Sequence, residues 1–458
     1  MPHVPVLVFC AVAAAPTASR VEDDALDRLA AGSPELRMLV GEALTGSPDL
    51  QALGSLAAAA RVRPAQAGAL ADPMFGVTYT NEGWSPSLGS MPDTTLALML
   101  TQALPWPGTR DLRTRAAEAE AAEAEQALAR ARLSVAASVA RAYHGLVQAR
   151  LLLALVREQG ELWRQIEGVA RARYEVGQGA QQDILRTQVE VTRVGQLEAE
   201  QQAEETVRLA ELGRLLGREV ALAAAPAAAG LAPPEPLVQV LERLRALSPE
   251  LAAARIGVER ARLAVQLAGK RSRPDLALQA GYMNRGGLEP LWQAGIGVTL
   301  PRRGPRAAAR AEAEALLRAA EQRLRAAELQ LQFRTQERLA RLQAIERATH
   351  LYDAGIVPQD RLSMEAAVAN YQAGRVPFLS VLEALATLYV DRGTLVRLAA
   401  GGALARVALE EASLDAALEG SQMSGGMGGV PSMAARALDA SASRSMPAGE
   451  RPGAPMNR

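Results

Sequence analysis

The segment Tyr174–Leu185, with the sequence YEVGQGAQQDIL, recurs in outline at Tyr371–Leu382 as YQAGRVPFLSVL. Both copies begin with Tyr, carry Gly at the fourth position and end with Leu, at a shift of 197 residues. Each copy interrupts a long stretch rich in Ala, Leu, Glu and Arg, which are strong helix formers. The motif therefore predicts the same reversal between two helices, made once in each half of the chain.

Two further landmarks recur at almost the same spacing. SPDL at Ser47–Leu50 matches SPEL at Ser248–Leu251, and LPWPGTR at Leu104–Arg110 matches LPRRGPR at Leu300–Arg306. A period near 200 residues far exceeds the repeat unit of solenoids, roughly 20 to 50 residues. We therefore expect an internal duplication, with a first structural repeat over residues 33–236 and a second over residues 237–415.

Each repeat carries one very long helical segment. We predict helices at about 110–176 and 306–373, and at about 1.5 Å per residue each would span on the order of 100 Å. Shorter return helices are expected at about 182–216 and 378–414. Two further helices, about 33–70 and 237–270, precede the strands of each repeat. We expect 237–270 to stack on 182–216, and the N-terminal helix to stack on the C-terminal one.

Four short segments alternate with a period of two, at about 74–80, 96–103, 276–283 and 292–300. One face of each is apolar and the other is small or polar, the pattern of strands with lipid outside and a lumen inside. Four strands cannot close a barrel, and open edges are not tolerated in hydrocarbon. The chain should therefore oligomerise, and about twelve strands from a trimer would leave an aqueous passage.

Composition narrows the class of protein. Lys+Arg and Asp+Glu both number 50, so the overall charge gives no reason to expect a nucleic-acid partner. Aromatic residues make up 3%, and the Ala- and Leu-rich remainder is typical of closely packed helices. Outside the N-terminal region no apolar run is long enough for a spanning helix.

Both chain ends differ from the rest in composition. Residues 1–20, with an apolar run at Val4–Ala15, predict a secretory signal peptide. Cys10 lies in this run, and the bulky Phe9 before it disfavours lipidation. Residues 420–458 are rich in Gly, Ser, Ala and Pro and predict a disordered tail.

Together these features resemble the outer-membrane efflux protein family, the TolC-like proteins, over about residues 33–412. The marks are the Tyr-x-x-Gly turn in each half, the Leu-Pro-x-x-Gly step from strand to long helix, and the duplication. The resemblance implies a mainly α fold with a small β part, in which a long α-helical barrel crosses the periplasm. A 12-stranded β-barrel of the homotrimer would lie in outer-membrane lipid. It also implies docking onto a periplasmic adaptor (membrane fusion) protein and an inner-membrane pump of the proton-driven RND type.

The resemblance places the adaptor-docking tips at the two turns. Glycine suits them because a helix reversal needs positive φ and the missing Cβ lets a partner approach. The alternative is that these residues form turns and nothing more. The tip residues are Val176, Gly177, Gln178 and Gly179 in the first repeat, and Ala373, Gly374, Arg375 and Val376 in the second.

Family members narrow near the tips through rings of acidic or polar side chains. Asp183 is the first candidate for such a pore constriction, because a trimer would place three carboxylates around the axis. Glu175 and Glu383 are secondary candidates. Asp183 could instead cap the N-terminus of the returning helix.

The transported substrate is suggested by methionines in the tail, Met423, Met427 and Met433, with Met446 and Met456. Thioether sulfur is a soft ligand that selects Cu(I) or Ag(I), although a low-complexity tail could hold methionines without binding metal. The LPWPG step resembles the heavy-metal branch of the family. We therefore predict export of heavy-metal ions. The alternatives are a drug-efflux or type I secretion channel and, in another class, a periplasmic coiled-coil adaptor or scaffold.

No motif suggests catalysis. The chain lacks a His-Glu-x-x-His pair, a phosphate loop and a nucleophile elbow. Its three histidines, His3, His144 and His350, are scattered. We expect neither an enzyme nor a bound cofactor.

Overall fold

Long helices dominate the computed structural model, which describes residues 24–30, 33–84, 86–87, 93–220, 235–300 and 302–414. The expected signal peptide and the methionine-rich tail lie outside these residues. In chain order the elements are α1 Pro34–Gly46, α2 Pro48–Ala67, β1 Met74–Thr80, β2 Thr95–Leu104, α3 Thr109–Glu175, α4 Gln181–Leu216, α5 Leu237–Leu247, α6 Pro249–Lys270, β3 Asp275–Arg285, β4 Leu288–Thr299, α7 Arg303–Leu351, α8 Val357–Gln372 and α9 Phe378–Glu410. A π-helical turn, Tyr352–Ile356, joins α7 to α8. The predicted fold class, mainly helical with four strands, is confirmed.

The helix expected before each strand pair is broken in two. Ser47 and Ser248 have extended backbones and cap the next helix, accepting hydrogen bonds from Leu50 N at 3.4 Å and Leu251 N at 3.3 Å. The following proline disfavours helical geometry at the preceding residue but fits the first position of a new helix. The Ser-Pro landmark is thus a break shared by both repeats, and the expected single helices 33–70 and 237–270 were wrong.

The second long helix also departs from the prediction of one regular helix over 306–373. It widens into the π turn just before Pro358. Proline has no N–H for the α-helical ladder, and its ring crowds the carbonyl four residues earlier. A π turn absorbs this locally without a sharp break.

The shorter helices stack end to end as expected, but the predicted partners were wrong: the N-terminal helices α1 and α2 stack on α4, and α5 and α6 stack on α9. Both α2 and α4 pack along α3, while α6 and α9 both lie between α3 and α7. At the first junction Arg218 binds Glu42, and at the second Arg243 binds Glu410. The physical reason is connectivity, because a strand pair joins α2 to α3 and a tight turn joins α3 to α4, which makes both short helices neighbours of α3. In cross-section the chain therefore presents four helical columns: α2 with α4, α3, α6 with α9, and α7.

Four antiparallel strands form one sheet in the order β1-β2-β3-β4. The central β2–β3 pair joins the two repeats, with Leu98 opposite Tyr282. Tyr282 in turn lies opposite Trp292, and their rings are 5.0 Å apart. The register places these three residues on one apolar face, with Phe75, Val77 and Ile296.

The opposite face of the sheet is small and polar. Gly76 and Thr78 of β1, Met99 and Thr101 of β2, Gln279 and Gly281 of β3, and Gln293, Gly295 and Gly297 of β4 share it. Apolar side chains such as Trp292 and Ile296 are exposed on the first face. None of the helices in the described part of the chain has the length and apolarity needed to span a membrane.

An ion-pair cluster lies at mid-height, where the repeats meet. Glu411, which follows α9 and is 5% exposed, accepts from Arg141 at 2.6 Å and from Arg130 at 3.4 Å. Arg130 also binds Glu250 of α6 and donates to Ser413 Oγ at 3.0 Å. A buried carboxylate requires such compensation, so this cluster ties α3, α6 and the end of α9 together.

Candidate functional site

The two helix reversals have the same backbone design. Gly177 and Gly374 have φ of +70° and +72°. In the first turn Gln178 N donates to Arg173 O at 2.8 Å, and in the second Arg375 N donates to Asn370 O at 2.8 Å. These bonds close each helix end through a glycine in the left-handed region, so the duplicated motif folds into duplicated turns.

The turns differ two residues after their shared glycine. A Cβ at Gly179 would lie 3.0 Å from Tyr174 N and 3.1 Å from Arg173 Cβ. The matching position in the second turn is Val376, which packs on the neighbouring apolar cluster. On either side of the shared glycine, the exposed residues are Val176 and Gln178 in the first turn and Ala373 and Arg375 in the second. The two tips therefore present different surfaces.

Arg173 of the first repeat connects the two turns. Its guanidinium donates to Gln178 O at 3.0 Å within its own turn and also to Tyr371 O of the second turn. It lies over the Tyr371 ring, 4.5 Å from the centroid, a cation–π geometry. The two tips are thus fastened to each other within one chain.

A second bond across the repeats joins Tyr371 to Asp183. The phenol donates to Asp183 Oδ2 at 3.1 Å. Burial, and then the Asp183 carboxylate, raise the pKa of Tyr371 to about 12, so the phenol keeps its proton at neutral pH. A hydrogen bond to a charged acceptor is worth roughly 1.5–3 kcal/mol, although Asp183 is only partly buried.

Tyr371 lies in an apolar cluster beneath the turns. Its ring meets Phe378 edge-on at 5.5 Å. Other members are Trp163 and Ile166 of α3, Val194 of α4, and Val381, Leu385 and Tyr389 of α9. This cluster fixes the phenol so that it reaches Asp183.

The three predicted constriction residues do not form one group in the structure. Asp183 stands in the first turn of α4, but the N-cap is Ala180, which makes no side-chain cap bond. The capping alternative is therefore wrong, and the Asp183 carboxylate binds Tyr371 instead. Glu175 and Glu383 are exposed and form no ion pair with the described residues; neither joins the Asp183 pair.

Arg173 and Tyr371 are site residues that sequence reasoning missed. Tyr371 was already visible as the repeat partner of Tyr174. The two tyrosines have opposite environments, since Tyr371 is 3% and Tyr174 is 46% exposed. The available signal was that the repeated tyrosines are followed by different residues at the equivalent position, Asp183 in the first repeat and Ser380 in the second.

The candidate metal ligands Met423, Met427 and Met433 lie outside the described residues. Within the described part, no cluster of His, Cys, Asp and Glu could hold a metal ion. Three thioethers, Met74, Met99 and Met283, share the small and polar face of the sheet.

Comparison with known proteins identifies the family. The outer membrane efflux protein family matches residues 39–218 and 240–413, which is well over half of the chain. The chain belongs to this family, whose members are outer-membrane channels that extend into the periplasm.

Solved structures share the fold at low sequence identity. VceC of Vibrio cholerae is 22% identical with a TM-score of 0.69, covering 82% of this chain and 95% of that one. The open-state outer membrane channel MtrE of Neisseria gonorrhoeae is 18% identical with a TM-score of 0.67, covering 83% and 88%. CusC, described as a transmembrane channel, is 17% identical with a TM-score of 0.66, covering 82% and 91%. No curated protein sequence matches significantly.

Proposed function

We propose that three copies of this chain close into a passive conduit across the outer membrane and periplasm. The observation that supports this proposal is that the four helical columns leave two open edges, one on each side, and both edges expose apolar side chains. On the α2–α4 edge these include Leu56, Val62, Leu185, Val189 and Val207, and on the α7–α8 edge Leu316, Leu329, Phe333 and Leu362. Such patches mark interaction surfaces, and head-to-tail joining of two different edges generates a ring.

The sheet supports the same arrangement. Strands β1 and β4 have no partner on their outer sides among the described residues. Open edges are not tolerated in hydrocarbon, whereas β4 pairing with β1 of the next copy would satisfy both. Three copies would give a 12-stranded barrel with the small and polar face inward, wide enough for water.

The oligomeric state of the purified protein tests the proposed ring. In detergent, the purified protein should elute with the mass of a trimer that resists SDS, and it should form discrete pores in planar bilayers. Introducing charge at the α7–α8 edge with Leu329→Glu and Phe333→Glu should prevent assembly, whereas Val390→Glu, at an exposed position of α9 between α3 and α7, should not. A monomer that still forms pores would contradict the proposal.

The two turns are proposed as the docking tips for a periplasmic adaptor that is driven by an inner-membrane pump. They lie at the far ends of α3 and α8, opposite the sheet, and Gly177, Gln178, Gly374 and Arg375 are exposed. Because the first tip exposes Val176 and Gln178 where the second exposes Ala373 and Arg375, the two tips offer unequal surfaces to a partner. An adaptor that crosslinks to a cysteine at position 178 or 375 would support docking; crosslinks only near the sheet would reject it.

The Tyr371–Asp183 bond is proposed to hold the tips in the narrow state. It ties α4 to the turn between α8 and α9, so these helices cannot separate at the tip while it is formed. Opening the conduit would then require this bond and the Arg173 contacts to break. Glu175 and Glu383, both exposed near the tips, are secondary candidates for lining the narrow region.

Heavy-metal ions are proposed as the substrate. The supporting observation is that Met99 and Met283 share the face assigned to the lumen, because soft thioethers favour Cu(I) and Ag(I). Cells that lack their own channel and carry Met99→Leu and Met283→Leu should become more sensitive to Ag(I) and Cu(I), with unchanged sensitivity to an organic dye. Equal loss of dye and metal export would favour drug efflux.

A role as a periplasmic adaptor or an enzyme is set aside. The family match covers both repeats, and a conduit needs no catalytic group. We therefore propose a transport role without catalysis.

A further inference from the structure

Cationic side chains concentrate where the four strands meet the helices. We define the collar as residues 68–73, 105–115, 270–275 and 302–310. It contains ten Lys and Arg but only three Asp: Arg110, Arg113, Arg115, Lys270, Arg271, Arg273, Arg302, Arg303, Arg306 and Arg310 against Asp72, Asp111 and Asp275. Since Lys+Arg equal Asp+Glu over the whole chain, this excess is local.

Many of the collar cations have no acidic partner. Arg113, Arg271, Arg302 and Arg303 are exposed and form no ion pair with any residue that the structure describes. Arg115 is 3.9 Å from Glu259, which is the outer limit of an ion pair. On the helices below, by contrast, arginines commonly pair with Glu three or four residues away, as Arg361 does with Glu365 at 3.1 Å; among the described collar residues Arg310 alone does so, with Glu314. The collar is therefore a surface with unneutralised positive charge.

Three of these cations gather around one recess. It has a volume of about 520 Å³, lies between the start of α3 and the end of α6, and is lined by Arg115, Lys270 and Arg273 with Asp111. Lys270 is the only lysine of the chain, and its ammonium donates to Pro107 O at 3.3 Å. That bond uses one of its three donors, so two remain for a ligand.

An aromatic ring and an apolar surface adjoin the recess. Arg273 lies over the Trp106 ring, 5.9 Å from its centroid. The apolar face of the sheet begins directly above, at Leu104 and its register partner Leu276. Trp together with Lys and Arg at the end of an apolar surface is the arrangement found at the boundary between hydrocarbon and headgroups.

The opposite end of the sheet has the opposite charge balance. The two hairpin connections and their flanks carry Glu82, Asp93 and Glu289 against a single Arg285. Because the long helices extend into the periplasm, the collar end of the strands meets the periplasmic leaflet. The excess of cations is thus found at one membrane boundary only. Solubility alone would not require this one-sided distribution of charge.

We infer that the collar binds anionic phospholipids of the periplasmic leaflet. The headgroup phosphate sits between Arg115, Lys270 and Arg273, and the acyl chains run along the apolar face from Leu104 and Leu276. The neighbouring Arg271, Arg302 and Arg303 add electrostatic attraction for the anionic headgroups without a specific contact. This binding goes beyond the proposed conduit, because it concerns a lipid held by the protein and not the passage through it.

Native mass spectrometry of the full-length protein in an uncharged detergent tests the inference. Phosphatidylglycerol is the anionic probe and phosphatidylethanolamine the zwitterionic one. The triple variant Arg115→Gln, Lys270→Gln, Arg273→Gln should lose roughly a hundredfold in phosphatidylglycerol affinity at low salt, given the attraction per cation at an anionic surface, and less at high salt. A matched control, Arg63→Gln, Arg255→Gln, Arg323→Gln, removes three exposed cations from the helices and should bind like the wild type.

Equal binding of the two lipids, or an equal loss in the control, would overturn the inference. Displacement of the lipid by inorganic phosphate alone would assign the recess to free phosphate instead. If the triple variant fails to assemble, Arg271→Gln with Arg303→Gln should still weaken binding about thirtyfold, and no change there would also count against the collar. Retained single-channel conductance alongside lost lipid binding separates this result from failure of the conduit.

Discussion

The phenol of Tyr371 donates to Asp183 Oδ2 at 3.1 Å across 188 residues of sequence. One partner belongs to the second repeat and the other to the first, so the bond closes the space between the two turns. The repeat that produces two similar turns also places a tyrosine at residue 174 that has no such partner among the described residues. The duplication is therefore symmetric in backbone and asymmetric in contacts.

Removing the phenol oxygen should loosen the tips. Tyr371→Phe keeps the ring in its apolar cluster and deletes only the bond to Asp183, so we expect a larger and less stable closed-state conductance in planar bilayers. Asp183→Ala should have the same effect, and the double variant should add little because both remove one bond. Tyr174→Phe is the matched control and should leave conductance unchanged. An effect as large as that of Tyr371→Phe would contradict the proposal that the Tyr371–Asp183 bond holds the tips in the narrow state.

Gly179 should tolerate no side chain. Its Cβ would meet the backbone of Tyr174 and Arg173 at about van der Waals overlap, 3.0–3.2 Å. Gly179→Ala should therefore shift the first turn and weaken adaptor binding. Val376→Ala, at the matching position of the second turn, should cost only the lost packing. Binding of a purified adaptor to each variant measures the difference. An equal loss of adaptor affinity in both variants would contradict the proposal that the two tips are unequal docking surfaces.

The carboxyl pair Asp360 and Asp391 should make stability depend on pH. Burial, followed by the hydrogen bond and charge of Asp360, raises the pKa of Asp391. Asp360 Oδ2 is buried without a donor, and a protonated Asp391 can supply one. Because the folded-state pKa is raised, stability increases as pH falls from neutral towards the ordinary value for Asp, about 4.

Asp391→Asn tests this linkage. The variant should melt at a higher temperature than the wild type at neutral pH, and the difference should shrink as the solution is acidified through the raised pKa. Asp353→Asn, at an exposed position of the π turn, serves as the control. Parallel melting curves at every pH for Asp391→Asn and wild type would refute the assignment.

Glu411 should be the most costly carboxylate to neutralise. It is nearly buried between Arg130 and Arg141, so Glu411→Gln leaves two guanidinium groups with less compensation. Full burial would give a loss of roughly 3–5 kcal/mol. The arginines are partly solvated, so we expect about 2 kcal/mol, read from denaturant or thermal unfolding. Glu365→Gln removes an exposed i,i+4 pair with Arg361 and should cost less than about 0.5 kcal/mol.

Period and composition were sufficient to predict the helical and strand segments. The alternation of Phe75, Val77 and Tyr79 indicated a strand with one apolar face, and the register places these residues together. Pro358 and the Ser-Pro pairs at residues 47 and 248 each change a helix that was predicted to be continuous. Local rules would have predicted these breaks, because proline acts on its immediate neighbours.

Contacts between residues that are distant in sequence could not be predicted from local sequence rules. Nothing in the spacing of Arg173, Asp183 and Tyr371 says that they meet, and the stacking of α4 with α2 depends on which faces of α3 remain free. The collar is similar, since its cations come from three separate segments.

The sequence by itself determined the duplication, the two glycine turns, the period of every strand and the need for partners at the sheet edges. These follow from backbone sterics and hydrophobic patterning, which act over a few residues. Only the tertiary structure decided that Tyr371 is buried against Asp183 while Tyr174 is exposed, and that Lys270 reaches the start of α3. The reason is that such pairings depend on how helices about 100 Å long align, and that alignment is set by packing along their whole length.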